Sequence, residues 1–228
     1  MLLRDAITCY HDLLDADLAA ESQAQLDDQL KRRGLYFGQR PLCTVLRPRF
    51  LTTEQYRWLQ GEVRALLRAF DAAYQAAVAD ATFRAQFGLL EWEEELVQHD
   101  PGFSASSPLG RLDMFYLPEE GELKLVEYNA ETPAAQAYND VLAEVFAGLP
   151  ILRPFARRYD ARALLARPGA LHALLGAYAE WSGGRREPPR IAILDWREVP
   201  TYSEFLLFAD YLRAQGLECV IADPRGVE

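Results

Sequence analysis

The stretch Leu109–Pro133, LGRLDMFYLPEEGELKLVEYNAETP, decides how the rest of the chain is read. Two runs with apolar residues at alternate positions flank Pro118–Glu122, where Gly121 is available for a positive-φ position or a bulge, and the pattern predicts a β-hairpin. Side chains alternate faces along a strand, so Arg111 and Asp113 share one face of the first strand, and Glu127 and Asn129 share one face of the second. A turn that sets Leu117 opposite Leu123 pairs Phe115 with Leu125, Asp113 with Glu127 and Arg111 with Asn129. The reverse face then carries Tyr116 with Lys124, Met114 with Val126 and Leu112 with Tyr128. A loop one residue longer or shorter is expected to separate Asp113 from Glu127.

Two facing carboxylates repel unless a cation lies between them or one keeps a proton. Arg111 supplies part of that positive charge. Glu127 and Asn129 present oxygen donors suited to a hard divalent cation such as Mg²⁺. The arrangement reads as a metal or phosphate site; the alternative is a polar strand end closed by a surface salt bridge. The second strand runs directly into Ala130-Glu131-Thr132-Pro133, where the chain must leave the sheet. Helical spacing follows through Tyr138, Val141, Leu142 and Val145. A helix starting there is expected to bring N–H groups near Glu127 and Asn129 and to favour a bound anion.

Towards the N-terminus, Leu3, Ile7, Tyr10, Leu13, Leu14 and Leu18 recur at helical spacing, and a second patch reaches Leu26 and Leu30 before Gly34. Residues 34–50 read as irregular. From Thr53 to about Asp80, Tyr56, Leu59, Val63, Leu66, Leu67, Phe70 and Tyr74 form one apolar stripe, and a further helix is expected over 81–98. The acidic run Glu93-Glu94-Glu95 within it reads as a solvated face. His99-Asp100 has no nucleophile near it in the sequence, which argues against an acid–base pair.

Beyond the hairpin, Arg157–Gly183 reads as a helical block, and Gly183–Pro189 as a linker. This sets a boundary between residues 1–183 and 190–228. The run Arg190-Ile-Ala-Ile-Leu-Asp195 predicts a buried strand. Thr201 and Glu204 suggest a capping box for a helix reaching Gly216, and Leu217–Ala222 is the next strand. A β-α-β unit of this kind has parallel strands, which ordinarily belong to a sheet of more than two. The sheet is therefore expected to recruit strands from earlier in the chain, from another chain or from sequence beyond this one. The fold class is α+β to α/β: a helical N-terminal region with a hairpin-containing sheet, then a β-α-β unit.

Composition narrows the function. With 228 residues and a net charge of −10, the chain can bury a sizeable core, and its acidity argues against a sequence-independent nucleic-acid binder. Cys9, Cys43 and Cys219 are too scattered for a disulfide framework or a Cys-x-x-Cys metal site. With no signal-peptide pattern, and no apolar run near the ~20 residues that span a bilayer, a cytoplasmic protein without membrane partners is expected. Neither a Walker segment nor a Gly-x-Gly-x-x-Gly fingerprint occurs.

Arg111-Leu-Asp113, followed after the turn by Lys124-Leu-Val-Glu127-Tyr-Asn129-Ala-Glu-Thr-Pro133, resembles the signature of the glutathionylspermidine synthase-like, circularly permuted ATP-grasp ligases. Eukaryotic-type glutathione synthetase has a similar Arg-x-Asp and Glu-x-Asn arrangement. The segment Ile191–Phe205 is similar to a strand–loop–helix in uncharacterised relatives of that group, and Arg33–Gly38 and Leu46–Phe50 match more loosely. The resemblance implies a partial ATP-grasp architecture with a pre-ATP-grasp-like β-α-β unit. It also implies an ATP-dependent ligase that joins a small carboxylate to an amine through an acyl phosphate. By the same resemblance Glu127 and Asn129, assisted by Asp113, hold Mg²⁺ bridging ATP phosphates, Asp113 otherwise orients the amine, and Arg111 stabilises the transferring phosphoryl group. The family places its nucleotide-binding lysines after the region matching Ala222, and Lys31 and Lys124 do not replace them. The chain is thus expected to be a fragment of a longer ligase or a shortened relative, binding Mg²⁺ and ATP only with the missing part. The alternative is a non-catalytic ligand-binding or regulatory domain that keeps the ligase scaffold.

Overall fold

The structure, a computed structural model, describes residues 2–131, 133–184 and 187–226. Met1, Thr132 of the strand-exit signature, Arg185 and Arg186 of the expected linker, and Val227 and Glu228 lie outside the described residues. The chain is mixed α+β and divides into two compact units, neither continuous in sequence: 1–52 with 134–172 and 188–228, and 53–133 with 173–187. The expected boundary was a single cut between 183 and 190. Instead, residues 134–172 group with the β-α-β unit, and the hairpin groups with the long helix before it. Among the described residues no helix is long and apolar enough to cross a membrane.

In the first unit, α1 (Leu2–Leu13) and α2 (Ala16–Arg32) are separated at Asp15, whose carboxylate accepts the Leu18 N–H at 2.8 Å and starts α2. A short ladder of β1 (Tyr36–Phe37) and β2 (Arg40–Pro41) follows within the stretch that reads as irregular. α6 (Gln136–Gly148) and α7 (Leu152–Ala156) complete the helical core. Tyr10, Leu26, Leu30, Leu35, Leu149, Ile151 and Phe155 are almost wholly withdrawn from solvent there. Each such side chain contributes roughly 1.5–3 kcal/mol of burial. Phe155 meets the Tyr10 ring edge-on at 5.3 Å and stacks on Phe50 at 4.9 Å and Tyr159 at 5.0 Å. The Tyr10 hydroxyl donates to the Leu46 carbonyl at 2.5 Å, and burial pushes its phenol up to about 12.

The helical block expected over 157–183 begins only at Arg167, as α8 (Arg167–Trp181). The buried Asp140 carboxylate accepts the Ala166 N–H at 2.7 Å and the Arg167 N–H at 3.0 Å, and pairs with the Arg167 guanidinium at 3.1 Å. Those bonds satisfy the start of α8, and Pro168, which has no N–H to lose, sits in its first turn.

The β-α-β crossover is present as β5 (Arg190–Leu194), α9 (Tyr202–Ala214) and β6 (Glu218–Ala222), with parallel pairing from Arg190↔Glu218 to Leu194↔Ala222. Among the described residues these strands pair only with each other, so the recruitment of earlier strands is not seen. The expected Thr201/Glu204 capping box does not form either: no side-chain bond caps α9, and the Glu204 carboxylate serves a different helix.

In the second unit, α3 (Thr53–Ala79) spans the apolar stripe almost as read. The single helix expected over 81–98 is broken into α4 (Ala81–Arg84), a 3₁₀ turn over 85–87 and α5 (Glu91–Leu96). Asp80 caps α4 through the Thr82 N–H at 2.7 Å, and Gly88, at φ +63°, ends the 3₁₀ turn. The buried Arg84 donates to the Ala77 carbonyl at 2.7 Å near the end of α3 and pairs with Glu94 at 2.7 Å. Glu93 accepts the Leu90 N–H at 2.8 Å, so two members of the acidic run are structural partners rather than parts of a solvated face.

The hairpin is β3 (Arg111–Leu117) and β4 (Glu122–Asn129). Two stacks fasten it to α3: Trp58 on Tyr116 at 5.5 Å and Phe70 on Tyr128 at 4.5 Å.

Candidate functional site

The polar end of the hairpin has the expected pairing, reached by a different route. Arg111 is opposite Asn129, Leu112 opposite Tyr128 and Asp113 opposite Glu127. Nearer the turn, Met114 faces Leu125, Phe115 faces Lys124, Tyr116 faces Leu123 and Leu117 faces Glu122, one residue out of step with the expected register. The loop is shorter, with Gly121 at φ +66° beside Glu122, and a bulge between the two halves absorbs the difference by leaving Val126 as the extra residue.

The reason lies in the helix-packed face. With Tyr116 and Tyr128 against α3, an unbroken ladder cannot put Leu123, Leu125 and Tyr128 all on that side, because Tyr128 is out of phase with both leucines. The extra residue resolves the conflict, and it moves Lys124 and Glu122 to the face that carries Asp113. The exposed Val126 costs little in that position.

On that face Arg111 donates to both Asp113 oxygens, Nε to Oδ1 at 2.7 Å and a terminal nitrogen to Oδ2 at 3.2 Å, and lies 3.9 Å from Glu127 Oε1. The Asn129 amide donates to the same Glu127 oxygen at 3.0 Å. The Arg111 hydrogen bond holds the Asp113 carboxyl below its usual range. Partial desolvation opposes this, while the guanidinium charge and a hydrogen bond with the Glu127 side chain add to it. The side chains of Arg111 and Asp113 are 39% and 38% exposed and that of Glu127 is 56% exposed, so an incoming ligand can reach all three.

The strand ends are held from behind. The Ser107 hydroxyl bonds the carbonyls of Leu109 and Ala130, closing the loop before β3 against the exit from β4. At Gly110 a Cβ would come within 2.9 Å of the Tyr128 ring, so the close approach of that ring requires glycine.

The donor set fits a hard cation in chemistry. Asp113 and Glu127 offer carboxylate oxygens. With the Asn129 amide nitrogen directed at Glu127, the side-chain carbonyl oxygen is left for another partner. Among the described residues no group of three or more His, Cys, Asp or Glu gathers as a metal cage.

Two other expectations change. The N-terminus of α6 was to favour an external anion; its Ala135 and Ala137 N–H groups instead donate to the Glu204 carboxylate at 2.5 and 2.9 Å. Asp100 accepts the Gly102 N–H at 2.8 Å, forming a turn within its own loop. Sequence reading missed a charged cluster at the carboxyl ends of β5 and β6, where Arg225 pairs with Asp223 at 2.5 Å and Glu198 at 2.7 Å and lies 5.9 Å from the Trp196 ring centroid. Its only sequence signal was charge just past a strand, and β5, expected to be buried, has no buried residue: its positions alternate between exposed and half-buried, with Leu194 exposed.

No protein-family model, curated protein or solved structure matches the chain.

Proposed function

We propose that this chain carries the metal and phosphate wall of an ATP-dependent carboxylate–amine ligase of partial ATP-grasp architecture, formed by Arg111, Asp113, Glu127 and Asn129. The observation that supports this reading is the register that brings the four together, kept across a shortened turn by a bulge. In such a reaction a carboxylate oxygen attacks the γ-phosphorus and ADP leaves. The amine nitrogen then attacks the acyl carbon, phosphate leaves, and the nitrogen gives up a proton.

Phosphoryl transfer requires mainly positioning and positive charge around the equatorial oxygens. The Arg111 guanidinium provides a two-pronged donor for those oxygens, and Asp113 holds it in orientation through paired hydrogen bonds. Asp113 stays ionised throughout the neutral range, so this hold does not weaken there. Glu127 and the Asn129 carbonyl would hold Mg²⁺, which when bound neutralises the polyphosphate charge.

The test is calorimetric titration with ATP, in the presence and absence of Mg²⁺, of a full-length version that includes the nucleotide-binding segment the resemblance implies. Glu127→Gln and Asn129→Ala should each weaken Mg²⁺-dependent binding about tenfold or more, from the loss of one charge-assisted contact. Binding that ignores Mg²⁺, or variants that bind like the wild type, would refute the assignment. Where turnover is measured, ADP should appear only with both an acid and an amine present.

A second reading, a ligand-binding domain without turnover, is favoured by the ion pair itself, since Arg111 already neutralises Asp113 without a cation. Nucleotide binding that depends on Glu127, with no ADP formed from any acid and amine, would select it.

A further inference from the structure

Behind the hairpin's polar end lies an open pocket of about 480 Å³ inside the second unit, within the roughly 300–1,000 Å³ typical of small-molecule sites. Its walls are mostly apolar: Tyr74 of α3, Leu96 of α5, Leu174 of α8, Phe103 and Leu109 are among them. The pocket adjoins the quartet through the chain, because Leu109 precedes Arg111 by two residues and Ala130 and Glu131 directly follow Asn129.

The polar groups of the lining have a definite sign. Among the described residues no Arg or Lys lines the pocket, Glu131 is its one carboxylate and His99 its one imidazole. Ser107 is committed to the two carbonyls already described, whereas among the described residues the side chains of His99, Ser106 and Glu131 have no protein hydrogen-bond partner. A carboxylate or phosphate ligand would find neither Arg nor Lys among the described lining residues and would face Glu131. An ammonium group finds a carboxylate, a hydroxyl acceptor and two aromatic rings, Tyr74 and Phe103, all of which favour a cation. A polyamine would leave further charges against apolar walls, at a cost in desolvation that nothing in the lining offsets.

We infer that this pocket binds a small organic ammonium ion with an apolar body, an aryl- or alkylamine carrying a single positive charge, with its cation toward Glu131. That such a compound serves as the amine substrate rests on the ligase reading; its binding does not.

The experiment titrates the 228-residue chain with 2-phenylethylamine, 3-phenylpropanoate and spermidine, followed by calorimetry. 2-Phenylethylamine should bind saturably at one site, and the propanoate, of similar size and opposite charge, at least about tenfold more weakly. Spermidine should bind more weakly than the arylamine as well. Glu131→Gln should weaken arylamine binding about tenfold, and Leu174→Trp, which fills the pocket, should abolish it. Ala105→Leu, at an exposed lining position, fills the same space without touching the core, so a folding defect in Leu174→Trp does not remove the test.

Equal or tighter binding of the propanoate or spermidine, absence of saturable arylamine binding, or indifference to Ala105→Leu would overturn the inference. The Glu127→Gln protein separates the two proposals. Arylamine binding that survives there while a full-length version shows no Mg²⁺–ATP binding keeps the pocket and removes the ligase reading; Glu127-dependent Mg²⁺–ATP binding without saturable arylamine binding removes the pocket alone.

Discussion

Replacing Glu204 by alanine should destabilise the first unit by about 2–4 kcal/mol. Glu204 is 5% exposed, and its carboxylate accepts the N–H groups of Ala135 and Ala137 at the start of α6. Ala137 is fully buried, so its N–H would lose its partner with no water to replace it, at a cost of about 1–3 kcal/mol. Ala135 is exposed and can turn to solvent, which makes its share small. Removing a negative charge from the positive end of α6 adds about 0.3–1 kcal/mol. Ala135 is also held at φ 89°, a left-handed conformation that alanine does not favour, and the bond to Glu204 is one of the restraints on it. Glu204→Gln keeps the shape and one acceptor oxygen and should lose about half as much. Urea unfolding by circular dichroism gives the cost, and amide hydrogen exchange across α6 shows where it falls. A loss below about 0.5 kcal/mol for Glu204→Ala, or equal losses for the two variants, would refute the account.

Other outcomes follow from the same structure. The Asp113 carboxyl, titrated by NMR, should have its midpoint below 3.8, and Arg111→Met should raise it; stability linked to this group is present above its ordinary range and lost as pH falls through the depressed value, so an unshifted midpoint contradicts the pairing. Deleting Val126 should leave the cross-strand contacts of Arg111 with Asn129 and Asp113 with Glu127 intact in nuclear Overhauser spectra. The cost should be under about 1 kcal/mol, since most of the valine side chain already meets water; loss of those contacts would show that the bulge itself sets the register. Tyr10 has a raised pKa, so its contribution to stability is complete below pH 10 and should be lost as pH rises towards about 12. Tyr10→Phe should flatten that alkaline limb, and an unchanged limb would place its cause elsewhere.

The parts of the fold that were legible in the sequence are those set by local periodicity. The α3 stripe from Tyr56 to Tyr74, the alternation of β3 and the β5–α9–β6 crossover are fixed by which side chains recur on one face. Breaks within helical patterns were harder to see. The 3₁₀ turn over 85–87, ended by Gly88, interrupts the helix expected over 81–98, and Asp140, far away in sequence, delays the start of α8. A polar side chain offered two sets of N–H donors bonds the set that would otherwise be buried without a partner, and burial is not written in local spacing.

The candidate site shows the same division. The sequence by itself determined that Arg111 with Asp113, and Glu127 with Asn129, lie on common faces of their strands, because the period of a strand is two. Only the tertiary structure decided that the two pairs meet. The packing of Tyr116 and Tyr128 on α3 forces a phase slip at Val126, and that slip restores a register which the shorter turn alone would have broken. Tertiary packing likewise turned Glu204 from its own helix to α6, where its carboxylate serves one buried and one strained backbone position.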